Sequence, residues 1–406
     1  MGLAALGYRD FRLFQGARVS AIVSMEMLNV GVGWQLYATT GHALSLGLVG
    51  LAQFAPVFLL SLAAGHVADR FDRRLILRTC YMTLAVAALL LFYLAKTSDK
   101  RTLPIYAVLV LVGMARSFNG PAGQALLPHL VATEHIGNAV AWGSSSFKVA
   151  NIVGPTVGGF LYAWRGPSAV YATAAIGFLC ASLFVHTMQI RLGRMEPRNT
   201  SLRSVLAGVE YVWRTRIVLG SITIDLFAVL LGGAVALLPI FARDLLHIGP
   251  WGLGLLRAAP AFGAAVTAIY LAYHPIERRA GATMFVAVAI FGVATISFGL
   301  SHSFALTLIS LAIIGASDMV SVFVRMTLLP LVTPPSMRGR VSAVNLVFIG
   351  ASNELGDFES GVAAEWLGVV PAVIAGGVGT LLVVVFGVFL FPRLARLDRL
   401  DAHSAD

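Results

Sequence analysis

Apolar runs of about 20 to 25 residues, each closed by charge or by Gly and Pro, recur along the whole chain, and a run of that length spans hydrocarbon when coiled as a helix. They fall at 13–39, 45–68, 75–95, 104–123, 138–163, 168–189, 217–242, 250–273, 281–300, 303–327, 341–364 and 370–391. The pattern predicts an all-α membrane protein with twelve transmembrane helices. Its longest polar stretch, 191–216, separates the sixth run from the seventh. The expected organisation is a six-helix bundle over 1–190, a cytoplasmic linker over 191–216, and a second six-helix bundle with a short tail over 217–406. Within the linker Leu202, Val205, Leu206, Val209 and Val212 recur at helical spacing, predicting an amphipathic helix along the cytoplasmic membrane surface.

The two halves repeat. A shift of 202 pairs Gly113 with Gly315, Leu126-Leu127-Pro128 with Leu328-Leu329-Pro330, Asn151 with Asn353, Gly154 with Gly356, Gly159 with Gly361 and Trp164 with Trp366. A shift of 204 pairs Gly50 with Gly254, Ala55 with Ala259 and Pro56 with Pro260. Matched Trp, Asn and Pro at one offset point to duplication. Two parallel six-helix repeats with a binding site between them near the bilayer midplane form a transporter architecture.

Composition removes other classes. Of 406 residues 58% are hydrophobic and 12% charged, with a mean hydropathy of +0.84, against roughly 25% charged residues in soluble domains. Twelve spans leave no room for a separate catalytic domain, so an enzyme is not expected. The net charge of +10 becomes a question of topology rather than of nucleic acid. Lys and Arg number 3 at 9–18, 4 at 69–78, 6 at 191–216, 2 at 274–280, 2 at 338–340 and 3 after 391, 20 of the 29 in the chain. The opposite loops hold five, Lys96, Lys100, Arg101, Arg165 and Arg243. Positive charge collects on the inside, which places both termini in the cytoplasm and the protein in the plasma (inner) membrane. The first apolar run is too long for a cleaved leader and reads as a retained span. Cys80 and Cys180 sit in apolar runs, no His spacing suits a metal, and no phosphate-binding loop is present. Neither cofactor nor metal is expected.

Three motifs carry a family resemblance. Between spans two and three stands Gly65-His-Val-Ala-Asp69-Arg70-Phe-Asp72-Arg73-Arg74, in span four Arg116-Ser-Phe-Asn-Gly120, and in span five Ala150-Asn-Ile-Val-Gly154-Pro155-Thr-Val-Gly158-Gly159. They resemble the G-x-x-x-D-R-x-G-R-R/K loop, the R-x-x-Q-G motif and the antiporter motif G-x-x-x-G-P-x-x-G-G of the major facilitator superfamily. Asp72 replaces a Gly, Asn119 a Gln and Ala150 a Gly. The acidic Asp72, with Gly315-Ala-Ser-Asp318 and Asn353-Glu354-Leu-Gly356-Asp357, is similar to the branch of bacterial enterobactin exporters and macrolide efflux proteins. The resemblance implies alternating-access export of a small molecule. It also implies a conformational gate in the charged loop at Gly65, Asp69, Arg70, Asp72, Arg73 and Arg74. Close packing and a kink account for Gly154, Pro155, Gly158 and Gly159.

Ionisable residues inside spans are costly and default to functional candidates. Those considered are Glu26, Arg116, Lys148, Asp225, Arg257, Asp318, Arg325, Glu354, Asp357 and Glu359, with Asn353 beside them. Arg325, near the cytoplasmic end of span ten, is expected to snorkel, and Arg257 to have a bland role. Arg116 needs a partner, for which Glu26 is placed. Glu354 and Asp357 share a helix face, and two close carboxylates hold one proton near neutral pH. The expected mechanism is proton-coupled export of an amphipathic drug- or siderophore-type molecule. Glu26, with Asp225 or the Glu354/Asp357 pair, exchanges protons; Arg116 and Lys148 steer an anionic or polar substrate. An uncoupled or importing facilitator, a lipid flippase and a non-transporting sensor are the alternatives. The expected partners are the small-molecule substrate, protons and the lipid bilayer, with no nucleic acid.

Overall fold

The computed structural model describes residues 3–97, 101–189, 202–335 and 337–398. Lys100, Arg191, Arg194, Arg198 and Arg399, which enter the charge count, lie outside them. The described residues are organised by helices: α1 (Arg9–Thr40), α2 (Ala43–Arg70), α3 (Arg73–Lys96), α4 (Leu103–Leu126), α5 (Ile136–His186), α6 (Leu202–Arg214), α7 (Arg216–Leu231), α8 (Pro250–Tyr273), α9 (Ala280–Leu300), α10 (Phe304–Val332), α11 (Arg338–Leu367) and α12 (Val369–Leu390), with short turns between them. Nine stretches among the described residues are long and apolar enough to cross a membrane, and one of these, Thr133–His186, is 54 residues long. The protein is an all-α membrane protein.

Two predicted spans, 138–163 and 168–189, join into the single element α5. The bend between them sits at Gly166, whose φ of 75° and ψ of −174° lie in a region open to glycine. Pro167 follows and removes a donor, so the chain turns with hardly any loop. The seventh predicted span, 217–242, is not one helix. It stops at Leu231, and Gly232-Gly233 leads into short turns that reach Leu245. A Cβ at Gly233 would come within 2.7 Å of the Gly356 carbonyl carbon, so bare backbone is required where this break meets α11. Helices broken at Gly near mid-membrane recur at transporter binding sites.

By contacts the chain forms two compact units. The first comprises Met1–Gly41, Leu48–Asn199 and His247–Ala258; the second comprises His42–Gly47, Thr200–Leu246 and Ala259–Asp406. Inside the first, Phe11, Leu28, Leu77, Leu84, Leu109 and Phe178 form a buried core. Leu89, Leu90, Ile176 and Leu183 on the same helices are exposed, which is stable for a surface that faces lipid. Without a hydrophobic drive between helices, close approach of small residues holds such bundles together. The repeat shows in how each unit does this. In the first, a Cβ on Gly113 of α4 would collide with the Gln53 carbonyl of α2; in the second, one on Gly315 of α10 would collide with the Pro260 carbonyl of α8.

The described C-terminal part of helix α6 packs on protein. Its Val212 is 3% exposed and packs with Val218, Leu329, Val341 and Val344 of the second unit, Val209 and Tyr211 joining them. The Tyr211 hydroxyl donates to the Val332 carbonyl at 2.6 Å. Val209 and Val212 of the apolar stripe thus pack on protein. The side chains of Leu202, Val205 and Leu206 lie outside the described residues.

Candidate functional site

The charged loop after α2 is held by its own arginines. Asp72 caps α3, its Oδ1 accepting from the Arg74 backbone N–H at 2.9 Å, while Arg74 Nη2 donates to Oδ2 at 3.1 Å. A Gly at this position could not cap, so the acidic replacement strengthens the helix start. Partial burial of Asp72 is outweighed by these bonds from Arg74, which hold its carboxyl below the usual range. Arg74 also donates to the Met188 carbonyl at 3.2 Å. Arg73, 8% exposed, donates to the carbonyls of Ala68 at 3.3 Å and Ala125 at 2.7 Å. The loop therefore joins the ends of α2, α3, α4 and the segment after α5. Gly65 stands in open space, and Asp69 and Arg70 close α2.

The antiporter-like motif seats α1. A Cβ on Gly154 would stand 2.6 Å from the Glu26 Cβ, and one on Gly158 2.8 Å from the Met27 Cα; Pro155 is buried beside them. Gly159 faces the other way, toward Pro250 and Gly254 of the same unit.

Within the first unit a cavity of about 350 Å³ opens between α1, α3, α4 and α5, lined among others by Phe14, Arg18, Tyr81, Arg116, Asn119 and Phe147. Arg116 is half-buried and donates through Nη1 to Gln53 Oε1 at 2.8 Å. Glu26 is half-buried against α5 and does not line this cavity, nor does Lys148. Arg18 does. Grouped by charge with Arg9 and Arg12, it sits two turns inside α1 with its guanidinium carbon 6.0 Å from the Phe147 ring centroid. The predicted span 13–39 already contains it, so it belongs with the intramembrane charges.

A second cavity, of about 320 Å³, lies within the second unit, where Asp225, Asp318, Arg325, Asn353 and Asp357 meet at the broken end of α7. Arg325 does not snorkel: at 2% exposure it forms an ion pair with Asp225, itself 5% exposed, and Ser321 Oγ donates to the other Asp225 oxygen at 3.1 Å. Glu354 is absent from the lining, and the partner of Asp357 on the wetted stripe is Asn353. Positions four apart stay closer to one helical stripe than positions three apart. Arg257 keeps a buried Nε without a hydrogen-bond partner among the described residues. Among the described residues no group of three His, Cys, Asp or Glu side chains gathers in a way that could hold a metal.

The turn between α1 and α2 carries a latch within the second unit. His42 Nδ1 lies 2.8 Å from Glu365 Oε1, and the Leu44 N–H donates to Glu365 Oε2 at 3.1 Å. These bonds, the Leu44 one first, hold the Glu365 carboxyl below the usual glutamate range. A carboxylate held low adds stability above the unfolded value and loses it as pH falls through the folded one. Glu365→Gln is therefore expected to raise hydrogen exchange of the Leu44 amide about two- to fivefold at pH 7, as fits an exposed pair worth up to about 1 kcal/mol. In the native protein the protection factor of that amide should fall to the variant's level only as pH drops below the ordinary glutamate range. Unchanged exchange in the variant would remove the latch.

Comparison with known proteins places this geometry. A family model described as transmembrane secretion effector matches residues 1–406. Enterobactin exporters are similar: the protein EntS of Citrobacter koseri is 27% identical over 390 residues, covering 96% of this chain and 92% of its own, and that of Escherichia coli 27% over 393 residues with the same coverage. Among solved structures, a bacterial homologue of the human lysosomal transporter Spinster, inward-facing and occupied, superposes with a TM-score of 0.74 at 15% identity, covering 94% of this chain and 97% of its own. The peptide transporter PepTSo of the POT family gives 0.75 at 11%, covering 95% and 98%.

Proposed function

The chain belongs to the transmembrane secretion effector family of the major facilitator superfamily, and from that premise we propose that it exports a small amphipathic molecule by alternating access, driven by protons moving inward. It is a multi-pass secondary transporter for a small-molecule substrate and not an enzyme. In this proposal twelve helices cross the plasma (inner) membrane with both termini cytoplasmic, as two six-helix repeats over 1–190 and 217–406 joined by 191–216. The Asp69, Arg70, Asp72, Arg73 and Arg74 loop acts as the inner gate, its bonds breaking when the cycle turns. Enterobactin-exporter relatives support the outward direction and a drug- or siderophore-sized cargo.

One observation carries the proton coupling: three carboxylates, Asp225, Asp318 and Asp357, gather around the second cavity, with Arg325 paired to Asp225. Asp318 and Asp357 border this one space inside a membrane protein, where ionisable side chains default to roles in proton or substrate pathways. Asp225, matched by Arg325, is a structural ion pair in this scheme, and Glu26 is the first unit's own proton-binding candidate. Lys148 and Arg116 tune the charge around it. The test uses inside-out vesicles with an imposed pH gradient, acid inside, and a panel of amphipathic drugs and siderophores. Accumulation that collapses with a protonophore supports the proposal. Equilibration without accumulation, or flux that ignores the gradient, replaces it with an uncoupled facilitator; movement of lipid alone replaces it with a flippase.

A further inference from the structure

We propose that the cavity of the first unit is an anion-selective cargo subsite in which Arg18, together with Arg116, holds the acidic group of an aromatic organic anion. The proposal rests on the transport function stated above and names its cargo class. The lining contains two guanidinium groups and no carboxylate, whereas the second cavity has the opposite balance. Two cations around one space in a low-dielectric interior attract an anion far more strongly than they would in water. The guanidinium fork also matches a carboxylate or sulfonate.

Arg18 is placed for this task by its surroundings. Its Nη1 would stand 2.9 Å from a Cβ at Gly143, so the arginine lies across bare backbone and any side chain there would displace it. Its planar head sits by the Phe147 ring, 6.0 Å from the centroid, and Phe147 itself is 43% exposed and reachable. Near Arg18, Tyr81 is 3% exposed and hydrogen-bonded to the Asn119 side chain, which fixes a flat wall. Phe14 closes the floor. A volume of about 350 Å³ lies at the small end of ligand pockets, enough for one or two fused rings with one acidic group. Aromatic faces stacked on rings and arginines discriminate flat apolar bodies, and the arginines discriminate charge.

The test is calorimetric titration of the full chain in detergent with 1-naphthoate, its neutral amide 1-naphthamide, and the cation 1-naphthylmethylamine. Expected is an order of preference with the acid first, and a loss of at least tenfold in 1-naphthoate affinity for Arg18→Gln with 1-naphthamide binding moved less than twofold. Arg18→Lys should recover part of the acid's affinity, and Phe147→Ala should weaken acid and amide alike. The thermal midpoint of each variant, kept within a few degrees of the native protein, separates lost binding from lost folding. Equal affinity for acid and amide in the native protein overturns the proposal, as does an Arg18→Gln variant that binds 1-naphthoate unchanged or a native protein that binds none of the three. Intact binding without gradient-driven flux would instead count against the transport function and leave the subsite standing.

Discussion

Arg325→Met is expected to lower the stability of the detergent-solubilised protein more than any other single change in the second unit, by roughly 3 to 5 kcal/mol, because it leaves the Asp225 carboxylate buried without its partner. Both groups are nearly sealed from solvent, at 2% and 5% exposure, and among the described residues Ser321 is the donor left to Asp225. The double variant Asp225→Leu, Arg325→Met should regain most of that loss. A buried pair replaced by apolar groups is often close to neutral, since the desolvation of both ions is avoided. Thermal unfolding followed by size-exclusion fluorescence measures the cycle; a double variant no more stable than the single one shows that the two side chains do not act as a pair. Transport adds a second axis. If Asp225 is structural, the double variant keeps proton-driven flux, whereas a proton carrier at that position would leave the refolded double variant inactive.

How far the sequence reaches is clear from these same residues. Most helix positions were legible because hydropathy reports the thickness of hydrocarbon, and Pro250–Tyr273 coincides with its predicted span. What hydropathy does not report is where backbone bends without losing apolar character. Gly166-Pro167 and Gly232-Gly233 sit inside apolar runs, so one bend was read as a loop and the other was not seen. The charged side chains were legible as a list and not as an arrangement. Asp225 and Arg325 are a hundred residues apart in sequence and meet only through the packing of α7 on α10. Arg18 falls inside the predicted span 13–39 but follows Arg9 and Arg12 so closely that it grouped with them as a basic margin, whereas the helix already begins at Arg9. Glu354 and Asp357 looked equivalent because three residues is nearly a turn, yet the cavity follows the stripe through Asn353 and Asp357. The motif residues Gly154 and Gly158 fared differently, since small residues at short intervals state directly that another backbone, here α1, comes close.

Asp357→Asn should separate the two activities that coupling joins, abolishing accumulation driven by a pH gradient, at least tenfold, while leaving exchange of labelled for unlabelled cargo at equal pH within about threefold. The amide copies the shape and one lone-pair site of the carboxyl but binds no proton in the working range, so the carrier can still turn over loaded with cargo yet cannot be pulled by protons. Asp318→Asn is expected to act in the same direction, since both side chains border the same cavity of the second unit. If they share one proton, as adjacent carboxylates do, the double variant will be no worse than the more severe single one. Glu26→Gln serves as the counterpart in the first unit: it packs against α5 at Gly154 rather than on the cavity wall, so its loss should cost less of the gradient-driven flux than Asp357→Asn does. Proteoliposomes of stated orientation, loaded at two internal pH values and assayed for both uptake and exchange, give the ratio that matters. Asp357→Asn and Asp318→Asn variants that both retain full gradient-driven accumulation would move the coupling site out of this cavity.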